Sequence, residues 1–66
     1  MKAAIVIDNW KLPIFERHLE EAGYFYTQGN GLTEDTLNLY VLTNDDPRKL
    51  EVVVRAANDE AARSKP

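Results

Sequence analysis

The sequence predicts an α+β fold, a two-layer βαββα sandwich, and three observations point there. Residues 36–43 alternate Leu37, Leu39 and Val41 with Asn38, Tyr40 and Leu42, the period of two that marks a strand. Leu12, Phe15, Leu19 and Ala22 recur at helical spacing, and so do Leu50, Val53, Val54, Ala57 and Ala61. Asn44-Asp45-Asp46-Pro47 separates the strand pattern from the second helical one. The strand at 36–43 is expected at the centre of the sheet. One of its faces lines a core, while the other carries Tyr40 and Leu42 in place of charges.

Residues 2–7 read as the first strand. Ala3, Ile5 and Ile7 share one side and Ala4 and Val6 the other, until Asp8 and Asn9 end the apolar run. The first helix falls between Trp10 and Ala22. Pro13 belongs in a first turn, where its missing N–H costs little, so the helix starts near Lys11 or Leu12. Gly23 suits the left-handed residue that closes a helix, and Arg17 and Glu21 form an i, i+4 pair. Residues 24–28, rich in aromatics, make the second strand, and Gly29-Asn30-Gly31 with residues 32–35 forms the connection to the third.

Asp46 is the expected N-cap of the second helix and Pro47 its first residue, with both aspartates at the positive end of the helix dipole. Glu51 with Arg55 and Asp59 with Arg63 are acid-first i, i+4 pairs. The β-branched triplet Val52-Val53-Val54 makes a strand over 51–56 the competing reading, but the cap and the alanine-rich continuation favour the helix. Residues 1–63 form one domain on this reading, and 64–66 are a frayed tail. A right-handed crossover from the first strand to the second leaves room for the third between them. The expected sheet is antiparallel, in the order 2-3-1, with both helices on one face. That is the ferredoxin-like plan without its last strand.

A chain of 66 residues buries only about 60% of the surface its unfolded form exposes, so its core is small. Such domains rely on disulfides, a metal or oligomerisation. The chain has no cysteine and one histidine, His18, too few ligands for a structural zinc site. Self-association is the remaining route, and a homodimer is the expected state. The apolar run after Met1 is cut short by Asp8, which argues against a signal peptide or membrane span. The expectation is a cytoplasmic protein with no membrane partner. Net charge is −3, and no lysine or arginine lies between His18 and Pro47, whereas six acids do. Phosphate contacts need cations, so nucleic acid is set aside as a partner.

Pairing Gln28 with Thr36 would set Tyr26 opposite Asn38 and Tyr24 opposite Tyr40. Phe25, Thr27, Leu37, Leu39 and Val41 then face the helices, and Tyr24, Tyr26, Tyr40 and Leu42 form an uncovered face. That face is the candidate partner or dimer surface, weighed against a tolerated cluster of solvent-facing tyrosines. A register slipped by one residue would reverse the assignment, sending Phe25 outward and the tyrosines inward. Sheet-face aromatics also suit base stacking, but the basic-glycine-aromatic motif of RNA-recognition modules is missing. His18 and Glu21 could shuttle a proton, yet no nucleophile accompanies them, and a hydrogen-bonded structural histidine is the plainer reading. Gly29-Asn30-Gly31 precedes a strand, where a phosphate loop would precede a helix. Trp10 is expected to seal the base of the core.

Trp10-Lys11-Leu12-Pro13-Ile14-Phe15-Glu16-Arg17-His18-Leu19 and Val53-Val54-Arg55-Ala56-Ala57-Asn58-Asp59-Glu60-Ala61-Ala62, with Asp35-Thr36-Leu37, resemble short uncharacterised proteins encoded in tailed-phage genomes. The resemblance implies a source class and assigns no activity, cofactor or site residue. The leading expectation is a non-enzymatic protein–protein interaction module, homodimeric, with a modulator of a host protein as one form of it. The alternative is a small-ligand-binding regulatory domain of the ACT type, which shares the ferredoxin-like plan but has a glycine-rich first loop that is not recognisable here. A small enzyme using His18 and Glu21 comes third. No catalytic residue, cofactor or metal is expected.

Overall fold

The alternating apolar residues of the first and third strands pair with one another across the sheet. The computed structural model describes residues 2–43 and 46–64, with the element order β1 (Lys2–Asp8), α1 (Leu12–Glu21), β2 (Phe25–Asn30), β3 (Thr36–Leu42) and α2 (Pro47–Arg63). β1 runs antiparallel to β3, setting Ile7 opposite Leu37, Ile5 opposite Leu39 and Ala3 opposite Val41. β2 flanks β3 on its other side, also antiparallel, so the order is β1-β3-β2, the expected arrangement read from the opposite edge. Leu39 and Val41 of the central strand are fully buried. They meet Phe15 and Leu19 of α1 and Leu50 and Ala57 of α2 in one core.

Both helices begin and end where local chemistry places them. A 3₁₀ turn, Asn9–Lys11, leads into α1, with Pro13 in the first turn. At the far end Gly23 adopts φ +83° and its N–H bonds the Glu20 carbonyl at 3.0 Å, while the Tyr24 N–H bonds that of Leu19 at 2.9 Å. This paired closure satisfies two carbonyls that the helix end would otherwise leave bare. α2 opens on Asp46, whose Oδ1 accepts from the Arg48 N–H at 2.9 Å, with Pro47 as its first residue. The Arg48 side chain and that N–H together hold the Asp46 carboxyl below the usual carboxylate range. Asp45, the second aspartate expected near this cap, lies outside the described residues. Val52-Val53-Val54 is helical: Val53 and Val54 pack on the core and Val52 faces away from it.

The expected register of β2 fails, and it matters for the site. β2 is displaced toward the C-terminus relative to the predicted 24–28, and Gly29 and Asn30 belong to the strand. Phe25 pairs with Leu42, Thr27 with Tyr40 and Gly29 with Asn38. The expected partners of Tyr24, Tyr26 and Gln28 were Tyr40, Asn38 and Thr36, so the observed register is shifted by an odd number of residues. An odd shift exchanges the two faces of a strand. Tyr24 is therefore buried, at 6% exposure, and Phe25 is out in solvent at 80%. The closure of α1 contributes to this outcome, because it fixes the Tyr24 backbone beneath the helix end. At the other end of β2, the Tyr40 ring covers Gly29: a Cβ there would lie 2.6 Å from Tyr40 Cε2. A ring laid over a bare glycine lets a strand continue where a side chain could not fit.

Candidate functional site

Two groups of side chains can be weighed as sites: the polar contacts around α1, and the sheet face opposite the helices. On the helix side of β2, the Tyr26 hydroxyl donates to Glu20 Oε2 at 2.6 Å and to Glu16 Oε2 at 3.2 Å. The hydrogen bond to Glu20, then burial and the Glu16 contact, push the Tyr26 phenol well above its ordinary pKa. Tyr26 thus stays a protonated donor that straps β2 to α1. Tyr24 Oη, by contrast, is buried with no hydrogen-bond partner among the described residues, while Lys49 Nζ sits 5.7 Å above its ring. Neither tyrosine lies on the open face, which corrects the expected surface.

His18 meets Glu60 of α2, where the sequence suggested Glu21. Its Nε2 is 3.0 Å from Glu60 Oε1, and the Arg17 guanidinium bonds the same oxygen. Glu21 instead lies 3.5 Å from Arg17 Nε. The His18 hydrogen bond, reinforced by Arg17, holds the Glu60 carboxyl below its usual range against the opposing effect of partial burial. His18 and Glu60 are joined to one another across the α1–α2 interface, so the geometry is that of a helix clamp. Among the described residues no group of three or more His, Asp or Glu side chains could hold a metal ion. Trp10 does not seal the core. It is 38% exposed beside Lys11, Asn58, Ala61 and Ala62, with Lys11 Nζ 5.5 Å from its ring centre.

The open face is built by the outward residues of all three strands. Ala4 pairs with Tyr40 and Tyr40 with Thr27, while Leu42 pairs with Phe25. Val6, opposite Asn38, is 55% exposed and Leu42 56%. Ala4, Val6, Phe25, Tyr40 and Leu42 thus form an apolar surface on the side of the sheet away from both described helices. Toward the β2–β3 connection the face turns polar: Asn38 Nδ2 donates to the Asn30 carbonyl at 3.1 Å and to the Tyr40 hydroxyl at 3.2 Å. Asn9 binds that connection to the start of the 3₁₀ turn, its Nδ2 donating to the Glu34 carbonyl and its N–H to that of Asp35, each at 2.8 Å.

Two of the expected surface residues, Tyr40 and Leu42, are therefore on the open face, and two, Tyr24 and Tyr26, are not. Phe25 was missed. The available signal was the Gly23 closure, which commits Tyr24 to the helix end and makes the next residue point the other way. No helix among the described residues is long and apolar enough to cross a membrane. No protein-family model matches the chain, and no curated protein or solved structure is significantly similar to it.

Proposed function

We propose that the chain is a non-enzymatic interaction module that self-associates, packing its open sheet face against that of a second copy. The observation that carries the reading is the exposure of Phe25, Leu42 and Val6 on a surface opposite both helices. An uncovered apolar patch of this kind marks an interface more often than a free surface. Three strands about 4.8 Å apart and about seven residues long span a face of roughly 330 Å² per copy. Two such faces bury about 660 Å², the size of a small, weakly held interface. At about 25 cal/mol per Å² that area gives a gross gain of about 16 kcal/mol, against an association cost of about 4–15 kcal/mol. A face-packed pair is thus feasible, and its strength depends on how well Phe25 and Leu42 seat.

Sedimentation equilibrium at tens of micromolar tests the reading. The wild-type mass should exceed that of a monomer, and Phe25→Glu with Leu42→Glu should halve it without loss of helical circular dichroism. Both residues already face solvent, so the charges affect association and not the core. A wild-type monomer, or a double variant of unchanged mass, overturns self-association through this face.

A further inference from the structure

The edge of the sheet offers a second surface, which stands on different observations. Asn9 N–H donates to the Asp35 carbonyl at 2.8 Å, one step beyond the Asp8–Thr36 pair of the β1–β3 ladder. In an antiparallel ladder the bonded pairs alternate along the strand. The Asn9 bond therefore assigns Ile7, Ile5 and Ala3 to the pairs that bond β3. Ala4, Val6 and Asp8 then turn their N–H and C=O groups away from β3, to the outer edge. Within β1 the stretch Ala3-Ala4-Ile5-Val6-Ile7 has no charge, proline or glycine, and its register with β3 runs unbroken from Lys2 to Asp8. It lacks the usual devices that keep an edge strand from pairing. Ala3 and Ile5 are only half-buried, although their β3 neighbours Val41 and Leu39 are completely so.

We infer that β1 pairs antiparallel with β1 of a second copy about a two-fold axis at Ile5, joining two three-stranded sheets into one of six strands. The occupant follows from self-complementarity. With Ile5 opposite Ile5 of the other copy, Ala4 opposes Val6 and Ala3 opposes Ile7, so outward-bonding residues meet outward-bonding residues. Lys2 and Asp8 are backbone partners at each end of the ladder, and Asp8 also holds Lys11 of its own chain at 3.5 Å. This register engages all seven residues of each strand and makes about eight backbone hydrogen bonds. An axis perpendicular to the sheet keeps both helix layers on one side and extends the open face across both copies. β2, the other edge, is a poorer candidate. Its edge residues include the polar Gln28 and Asn30, and Tyr26 is engaged by two carboxylates of α1.

Amide hydrogen exchange on the wild-type protein at hundreds of micromolar tests the pairing directly. The Ala4 and Val6 amides should exchange within about tenfold of the rates at Ile5 and Ile7, which β3 protects. Exchange at Ala4 and Val6 at open-chain rates overturns the proposal. The register is read separately, because the chain has no cysteine of its own. Mild oxidation of Ile5→Cys should give a covalent dimer, since non-bonded pairs bring Cα atoms within disulfide reach. Cross-linking that is stronger for Ala4→Cys or Val6→Cys overturns the Ile5 axis. The test is also separable from the face contact. Phe25→Glu with Leu42→Glu should leave an edge-paired dimer, which Val6→Pro converts to monomer by removing an N–H that β3 does not use. A monomer before the proline is added overturns edge pairing, whatever the fate of the face.

Discussion

Glu60 accepts hydrogen bonds from His18 and Arg17 of the opposite helix through a single oxygen, so its ionisation is tied to the fold. Its pKa is lowered on folding, so it favours the native state at pH values above the ordinary glutamate value of 4.5. That contribution is lost as pH falls through the lowered folded-state pKa. Glu60→Gln should therefore reduce the melting temperature at pH 7, and the difference from wild type should close on acidification below pH 4.5, followed by circular dichroism. Tyr24 predicts the opposite sign. Its hydroxyl is buried without a partner among the described residues, and an unsatisfied buried hydroxyl costs about 1–3 kcal/mol. Tyr24→Phe removes that cost and keeps the ring beneath Lys49, so it should stabilise by about 1 kcal/mol in urea unfolding.

At the scale of elements, β2 is the strand whose local sequence says least about its own placement. Its aromatics suit either face, and Gly29 looks like the start of a turn. The Tyr40 ring across the sheet makes that glycine part of the strand. Gly29→Ala would force the ring aside, so a loss of about 1–3 kcal/mol is expected from overpacking. In a Tyr40→Ala background the same change should cost far less, because the atom it meets is gone. Chemical denaturation of the four proteins measures the coupling, and additive losses would mean that the ring does not hold the strand. The helices contrast with this. Asp46, Pro47, Pro13 and Gly23 act on their own neighbours, and both boundaries of α1 and the start of α2 were legible from them within a residue or two.

At the scale of the whole molecule, a small core leaves little margin. A chain of this length is stabilised by about 3–10 kcal/mol in total. Leu19 is completely buried among Phe15, Leu39 and Val41, and truncating such a leucine costs about 2–5 kcal/mol. Leu19→Ala should bring the monomeric unit close to half-unfolded at 25 °C, seen as a urea midpoint shifted toward zero. Association opposes this by mass action, so the variant should be rescued by raising protein concentration. A midpoint independent of concentration would detach stability from assembly.

The sequence by itself determined the α+β class, the order βαββα, the central position of β3 and the faces of both helices. These rest on interactions within a few residues, on a period that one element displays alone, or, for the place of β3, on the handedness rule for crossovers. Half of the candidate surface was legible in the same way, because Tyr40 and Leu42 oppose Leu39 and Val41 along a strand whose core face is unambiguous. Only the tertiary structure decided which face β2 presents, that His18 reaches Glu60, and that Trp10 stays at the surface. Each is a contact between residues distant in the chain. For β2 the pairing partner, and not the local pattern, sets whether odd or even residues face the helices. The pairing is fixed jointly by the Gly23 closure, the Tyr26 strap to α1 and the Tyr40 ring on Gly29, which exist only once the layers have met.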